Sequence, residues 1–135
     1  AVDAQLTAIW ARGDIGVYID EGYMVPKTSR GLTKCLTQGR SKHIPMIVLA
    51  QRPVWLNRFI LSESEYKQVF RLQDSDDTAI VERYVPFDLG WRLPDYHSYY
   101  YDSKKDRLVV MKPVPDQQTI RAMFAAKLAR IPRVI

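Results

Sequence analysis

The sequence is poor in the residues that build disulfide or metal scaffolds. Its one cysteine, Cys35, has no partner for an internal disulfide, and its two histidines, His43 and His97, fall at no recognised zinc-ligand spacing. Neither a disulfide framework nor a structural metal is expected. No serine or cysteine is placed to use either histidine as a base, and Cys35 falls on the apolar face of a predicted helix, where a thiol is inert packing. Long hydrophobic runs are also missing. The longest, from Ile44 to Ala50, contains Pro45 and is far too short to cross a bilayer, and nothing at the N-terminus reads as a signal peptide. A soluble, cytoplasmic protein is expected. There are no internal repeats and no low-complexity tracts. What remains is ordinary globular composition, 47% hydrophobic and 26% charged, in a chain of 135 residues, enough for one domain with a sizeable core.

The net charge of +5 is unevenly placed. Acidic and basic residues balance up to position 99. From there Lys104, Lys105, Arg107, Lys112, Arg121, Lys127, Arg130 and Arg133 face only Asp102, Asp106 and Asp116, so the whole excess is C-terminal. A basic surface favours a polyanion through counterion release, although such a segment can also be only a solubilising face. Lys104, Lys105 and Arg107 are the candidate nucleic-acid contacts.

Val2, Leu6, Ile9 and Trp10 recur at helical spacing before Gly13, so the chain opens on a helix, abruptly and without a cap. Ile15 to Ile19 reads as a buried strand ending in Asp20-Glu21. Thr28 or Ser29 caps a helix through about Arg40, with Leu32, Cys35, Leu36 and Gly39 inward, and Ile44 to Ala50 is a second buried strand closed by Gln51-Arg52-Pro53. Pro53 opens a short helix with Trp55, Leu56, Phe59 and Ile60. Tyr66 to Leu72 reads as a third strand, and a helix with an acidic first turn runs from Asp76 to Tyr84. Tyr96 to Tyr101 and Arg107 to Lys112 form a predicted β-hairpin, and Asp116 caps a last helix with Ile120, Met123, Phe124 and Leu128 on one face. Strand alternating with helix predicts an α/β fold, a parallel sheet flanked by helices, with a C-terminal hairpin and helix. Residues 1–90 make the α/β portion and residues 91–135 the hairpin and closing helix of the same domain. Trp10, Trp55 and Trp91 are expected to pack core or interface surface.

The chemistry gathers at two strand ends. Val17-Tyr18-Ile19-Asp20-Glu21 delivers two adjacent carboxylates to the carboxyl edge of the sheet, where open α/β folds bind ligands. Adjacent carboxylates repel unless a cation intervenes. In nucleotide hydrolysis one can hold Mg2+ through its water shell while the other polarises the attacking water. The plain alternative is a strand followed by an acidic turn. Gln51 ends the next strand, and its amide can donate to a phosphate oxygen while accepting from a water. In the hairpin, Tyr96, His97, Tyr99, Tyr100 and Tyr101 beside basic residues could stack on nucleic-acid bases. β-Propensity is the favoured explanation for them: alternating tyrosines cover an apolar face.

The stretch from Gly16 to Pro53, with its hydrophobic-Asp-Glu, its Gly39-Arg40 ahead of a buried strand and its Ala50-Gln51-Arg52-Pro53, resembles the FtsK/HerA superfamily of P-loop ATPases. That superfamily includes DNA translocases, phage and viral genome-packaging ATPases and zonula-occludens-toxin-like assembly proteins. The resemblance implies the C-terminal half of a P-loop core, with Asp20 as the Mg2+-associated acid, Glu21 as the catalytic glutamate and Gln51 as the sensor of an ATP γ-phosphate. Arg40 corresponds to the arginine these rings extend to a neighbouring subunit's nucleotide, its permanent charge and planar fork suiting that task. Arg40 and Lys42 could equally just favour a helix C-terminus. Arg52 is a further nucleotide-binding candidate. DNA, a homo-oligomeric ring and phage or viral assembly proteins are the implied partners, and for a phage-encoded chain the host cytoplasm is the implied location.

One departure is large: no Gly-Lys-Ser/Thr phosphate loop occurs among the scattered glycines. Either the chain is a fragment, as its start inside a helix suggests, or it is a degenerate homologue that binds without hydrolysing. Two other functions compete with the motor: a non-catalytic nucleic-acid-binding module working through the basic C-terminal segment, and a phage structural or assembly protein on an old ATPase fold.

Overall fold

The computed structural model describes residues 1–90 and 92–130. Trp91 and Arg133, named above for packing and for charge, lie outside the described residues. Helix α1 (Val2–Arg12) ends at Gly13, whose φ of 71° lies in the left-handed region and whose N–H bonds back to the Ile9 carbonyl. Strand β1 (Val17–Ile19) follows, then a 3-10 turn at Gly22–Met24 and helix α2 (Arg30–Gln38). Ser29 caps α2 through its hydroxyl, which accepts from Leu32 N–H. That hydroxyl in turn donates to Asp3 Oδ1 at 2.6 Å, and the same oxygen accepts from Gly31 N–H at 2.8 Å. A carboxylate of α1 therefore sits on the positive end of α2. The two helices touch closely there, and a Cβ on Gly31 would lie 2.6 Å from the Asp3 carbonyl oxygen.

After a second 3-10 turn, Gly39–Lys42, strand β2 (Met46–Val48) pairs parallel to β1, with Val17 opposite Met46 and Ile19 opposite Val48. The α2 crossover is what a parallel neighbour demands. Leu6, Val25, Leu32, Cys35, Leu56 and Ile60 form the core beneath the pair, joined by Val17, Ile19, Met46, Val48 and the partly buried Trp10. Cys35 is buried, its thiol donates to the Leu6 carbonyl, and desolvation raises its pKa, so it is packing rather than chemistry. Tyr18 and Ile47, opposite each other on the other face, are exposed.

A 3-10 turn at Pro53–Trp55 and helix α3 (Arg58–Ser62), capped by Asn57, lead to β3 (Tyr66–Phe70). Here the structure departs from the sequence expectation. β3 does not extend the parallel sheet. It pairs antiparallel with β4 (Ser98–Asp102), which pairs antiparallel with β5 (Arg107–Met111), giving a separate three-stranded sheet. The alternation shows the reason: Tyr66, Gln68 and Phe70 lie exposed on one face while Lys67 and Val69 turn inward, so the strand is covered on one face only, as an antiparallel strand can be and a central parallel strand is not. Helix α4 (Ser75–Glu82), capped by Asp74, packs Val81 and the following Val85 against Tyr101, with Val69, Phe87 and Leu89 around them. Phe87 touches both Tyr99 and Tyr101 with ring centroids 5.3 and 5.9 Å apart. Those two tyrosines are thus core residues, as β-propensity suggests. Tyr66 instead stacks on Tyr100 on the open face of the sheet. Helix α5 (Gln117–Leu128), capped by Asp116, buries none of its residues, and Met123, Phe124 and Leu128 are each more than 60% exposed. No helix among the described residues is long and apolar enough to cross a membrane.

Candidate functional site

β1 and β2 run in the same direction, so the residues leaving both strands emerge at one edge. Two backbone bonds fasten that edge: Leu49 N–H donates to the Ile19 carbonyl at 2.9 Å, and Gly22 N–H donates to the Leu49 carbonyl at 2.7 Å. Gly22 is buried against β2, where a Cβ would lie 2.5 Å from a Val48 methyl. Between these anchors Glu21 takes up a left-handed conformation with φ 53° and ψ 59°. A non-glycine residue reaches that region only at a cost, and such strain gathers at functional positions.

The geometry brings Glu21 and Gln51 together. Gln51 Nε2 donates to Glu21 Oε1 at 3.0 Å, while Glu21 Oε2 is buried and has no hydrogen-bond partner. A buried carboxylate oxygen left open is an acceptor waiting for a proton donor. Asp20 is exposed, and its Oδ1 accepts from Glu21 N–H at 3.0 Å. Mg2+ takes one or two carboxylates, substrate phosphates and retained waters, so a single accessible aspartate at a strand end suits it. No group of three or more His, Cys, Asp or Glu side chains gathers among the described residues, so there is no closed all-protein cage for a metal.

The two arginines stand elsewhere. Arg40 lies in the turn before β2, at the amino end of the strand and hence on the opposite edge from Glu21 and Gln51. Its exposed side chain meets Glu65 at 3.4 Å. Arg52 follows Gln51, but its guanidinium is engaged within the chain. Nε donates to Asp77 Oδ2 at 2.7 Å and another nitrogen reaches Asp74 Oδ2 at 3.3 Å, with the group lying over Trp55. An open cleft of about 510 Å³ borders Gln51 and Arg52 and is lined further by Arg71, Gln73, Asp74 and Asp77. Asp77 escaped the sequence reading. Its one signal was membership of an acidic helical first turn, which is explained equally well by the helix dipole.

Lys104 and Lys105 occupy the hairpin turn, their N–H groups held by Asp102 Oδ1 at 3.1 Å each, and Arg107 begins β5. All three side chains are exposed. Lys104 also approaches Glu65 at 3.9 Å, a weak exposed pairing. They do not share an element with the Glu21–Gln51 pair.

No protein-family model matches the chain. The chain is 46% identical over 136 aligned residues to the DNA packaging ATPase P9 of Enterobacteria phage PRD1, covering 90% of the chain and 60% of that protein. It therefore spans less than two thirds of the curated relative it matches. Among solved structures, it is similar to the genome packaging NTPase B204 from Sulfolobus turreted icosahedral virus 2. In complex with AMP that structure gives a TM-score of 0.71 at 18% identity, covering 85% of this chain and 64% of that one. In complex with ATP-gammaS it gives 0.67 at 18% identity, with 83% and 58% covered. The chain is thus a homologue of a phage DNA-packaging ATPase over 60% of that protein's length, and it carries the fold of the viral genome-packaging NTPases.

Proposed function

We propose that this chain supplies the water-activating strand and the sensor strand of an ATP-driven motor that packages DNA. The observation that carries the reading is the 3.0 Å bond between Gln51 and Glu21 at the shared edge of two parallel strands. The homology to a DNA packaging ATPase and a fold seen with AMP and ATP-gammaS support it.

Glu21 is the group that orients the attacking water. With Oε1 held by Gln51, the Glu21 carboxylate is the base that accepts the water's proton as the water oxygen bonds to the γ-phosphorus and the bond from that phosphorus to the leaving ADP oxygen breaks. Gln51 holds Glu21 through its amide nitrogen. Its amide oxygen and second amide hydrogen stay available, so a γ-phosphate that draws on the amide also shifts Glu21. Asp20 is the residue that would hold Mg2+, and the ion would supply charge neutralisation on the phosphate oxygens. The phosphates themselves need backbone amides and a lysine that this sequence does not contain in a Gly-Lys-Ser/Thr run. Arg40, on the far edge, is read as acting on a neighbouring subunit's nucleotide in a ring. Lys104, Lys105 and Arg107 are read as contacts to DNA phosphates, and residues 1–90 and 91–135 as the nucleotide and nucleic-acid portions of one domain.

The test is Glu21→Gln in the intact protein, measured as steady-state ATP turnover with Mg2+. Loss of a positioned base lowers the rate about 100-fold or more while nucleotide still binds. Turnover at the wild-type rate rules the assignment out. A salt titration of DNA binding with and without nucleotide separates the motor from a simple nucleic-acid-binding module, which binds with a steep salt slope indifferent to ATP.

A further inference from the structure

Gln51 is the last residue of its strand end to carry the proposed chemistry, and the chain immediately beyond it is held by one buried carboxylate. Asp77, on the first turn of α4, is only 2% exposed and uses both oxygens on the segment after Gln51. Oδ2 accepts from Arg52 Nε at 2.7 Å and Oδ1 accepts from Val54 N–H at 2.9 Å. Asp74 adds a second bond to the same guanidinium, while its other oxygen caps α4 through Asp76 and Asp77 N–H. On its other side Gln51 is held by the sheet, where Leu49 N–H bonds to the Ile19 carbonyl. The residue thus hangs between two anchors, one made by β1 and one made by α4.

We infer that Asp77 is a positioning residue for Gln51. By fixing Arg52 and the Val54 amide, it sets the path of the backbone leaving β2 and so keeps the Gln51 amide within reach of Glu21. An arginine with its Nε and a backbone N–H in one carboxylate's grip has a single orientation, which a lone exposed ion pair does not impose. The arrangement also links the nucleotide edge to the antiparallel sheet, because α4 packs Val81 onto that sheet through Tyr101. This inference rests on the reading of Glu21 and Gln51 given above.

Two readouts keep the inference separable from that reading. The side-chain amide resonances of Gln51, assigned by nitrogen-15 NMR in the folded protein, report its bond to Glu21 without any need for activity. Steady-state kinetics of the intact protein give kcat and KM. In Asp77→Asn the Gln51 amide is expected to move to the shifts of a solvent-exposed amide, and kcat to fall about tenfold with KM changed less than twofold. Arg52→Gln breaks the same bond from its exposed end and is measured beside it, so that a failure of Asp77→Asn to fold does not remove the test. Arg52→Lys, which keeps the charge but not the fork, should recover less than half of the lost kcat. Unchanged Gln51 resonances in both variants overturn the inference. So does a normal kcat in both when Glu21→Gln is inactive. A Glu21→Gln protein that turns over normally sinks the ATPase reading instead, and the Gln51 resonances then decide the positioning role alone.

Discussion

At the scale of single residues, carboxylates do most of the organising, and each is recognised by what it accepts from. Asp3 receives the Ser29 hydroxyl and the Gly31 N–H, and these bonds, the Ser29 one foremost, hold its pKa below the ordinary value of 3.8. A carboxyl whose pKa is lower folded than unfolded adds stability above its unfolded pKa and loses it as pH falls through the folded one. Asp3→Asn is accordingly expected to have a lower Tm than the wild type at neutral pH. The gap should hold steady above about pH 5, begin to narrow near the unfolded value of about 4 and close only as pH falls through the lower folded value. Thermal melts of both proteins across that range check it, and a gap that does not narrow at all as pH falls below the ordinary carboxyl range contradicts the assignment. Glu21 is the opposite case. Its backbone is left-handed and one of its oxygens is buried without a hydrogen-bond partner, features that cost stability rather than add to it.

At the scale of elements, what could be read from the sequence was what depends on local pattern. The run ending at Ile19, the Ser29 cap and the run through Val48 each carry their own signal, and the structure has β1, α2 and β2 there. The parallel pairing of β1 with β2 followed from the helix between them. β3 was different. Its existence was legible from the alternation of Tyr66, Gln68 and Phe70, but its partner was not, because Tyr66 pairs opposite Asp102 across a gap that no local period reports. Asp77 was hidden for the same reason: its value lies in Arg52 and Val54, a tertiary contact. Helix α5 was also predicted, down to its cap, yet none of its residues is buried, and Met123, Phe124 and Leu128 of its apolar face stand exposed. A helix of this length is marginal in water without packing. Removal of residues 113–135 should therefore shift the Tm of the remaining chain by less than about 2 °C, since none of the described residues in that span is buried. Differential scanning calorimetry of the shortened and full chains reads this directly. A drop of 5 °C or more would show that α5 docks onto the body.

At the scale of the whole molecule, the edges of the parallel pair set what one copy can do alone. Glu21 and Gln51 share the carboxyl edge, and Arg40 stands at the amino edge against Glu65, so one chain cannot bring all three to a single phosphate. A ring resolves this geometrically, because the face that carries Arg40 on one subunit can meet the face that carries Glu21 on the next. Arg40→Ala and Glu21→Gln proteins, each expected to be at least tenfold below wild type in ATP turnover, then complement when mixed. An interface formed by Glu21 of an Arg40→Ala subunit and Arg40 of a Glu21→Gln subunit holds an intact set of residues. In a randomly mixed ring roughly a quarter of the interfaces have this composition, so turnover should return to about a quarter of the wild-type rate. If the mixture stays at the level of its two components while both assemble normally, Arg40 does not act across subunits. Its contact with Glu65 is then its whole role, and Arg40→Ala should behave like the loss of a surface ion pair, a change of about 0–1 kcal/mol in stability.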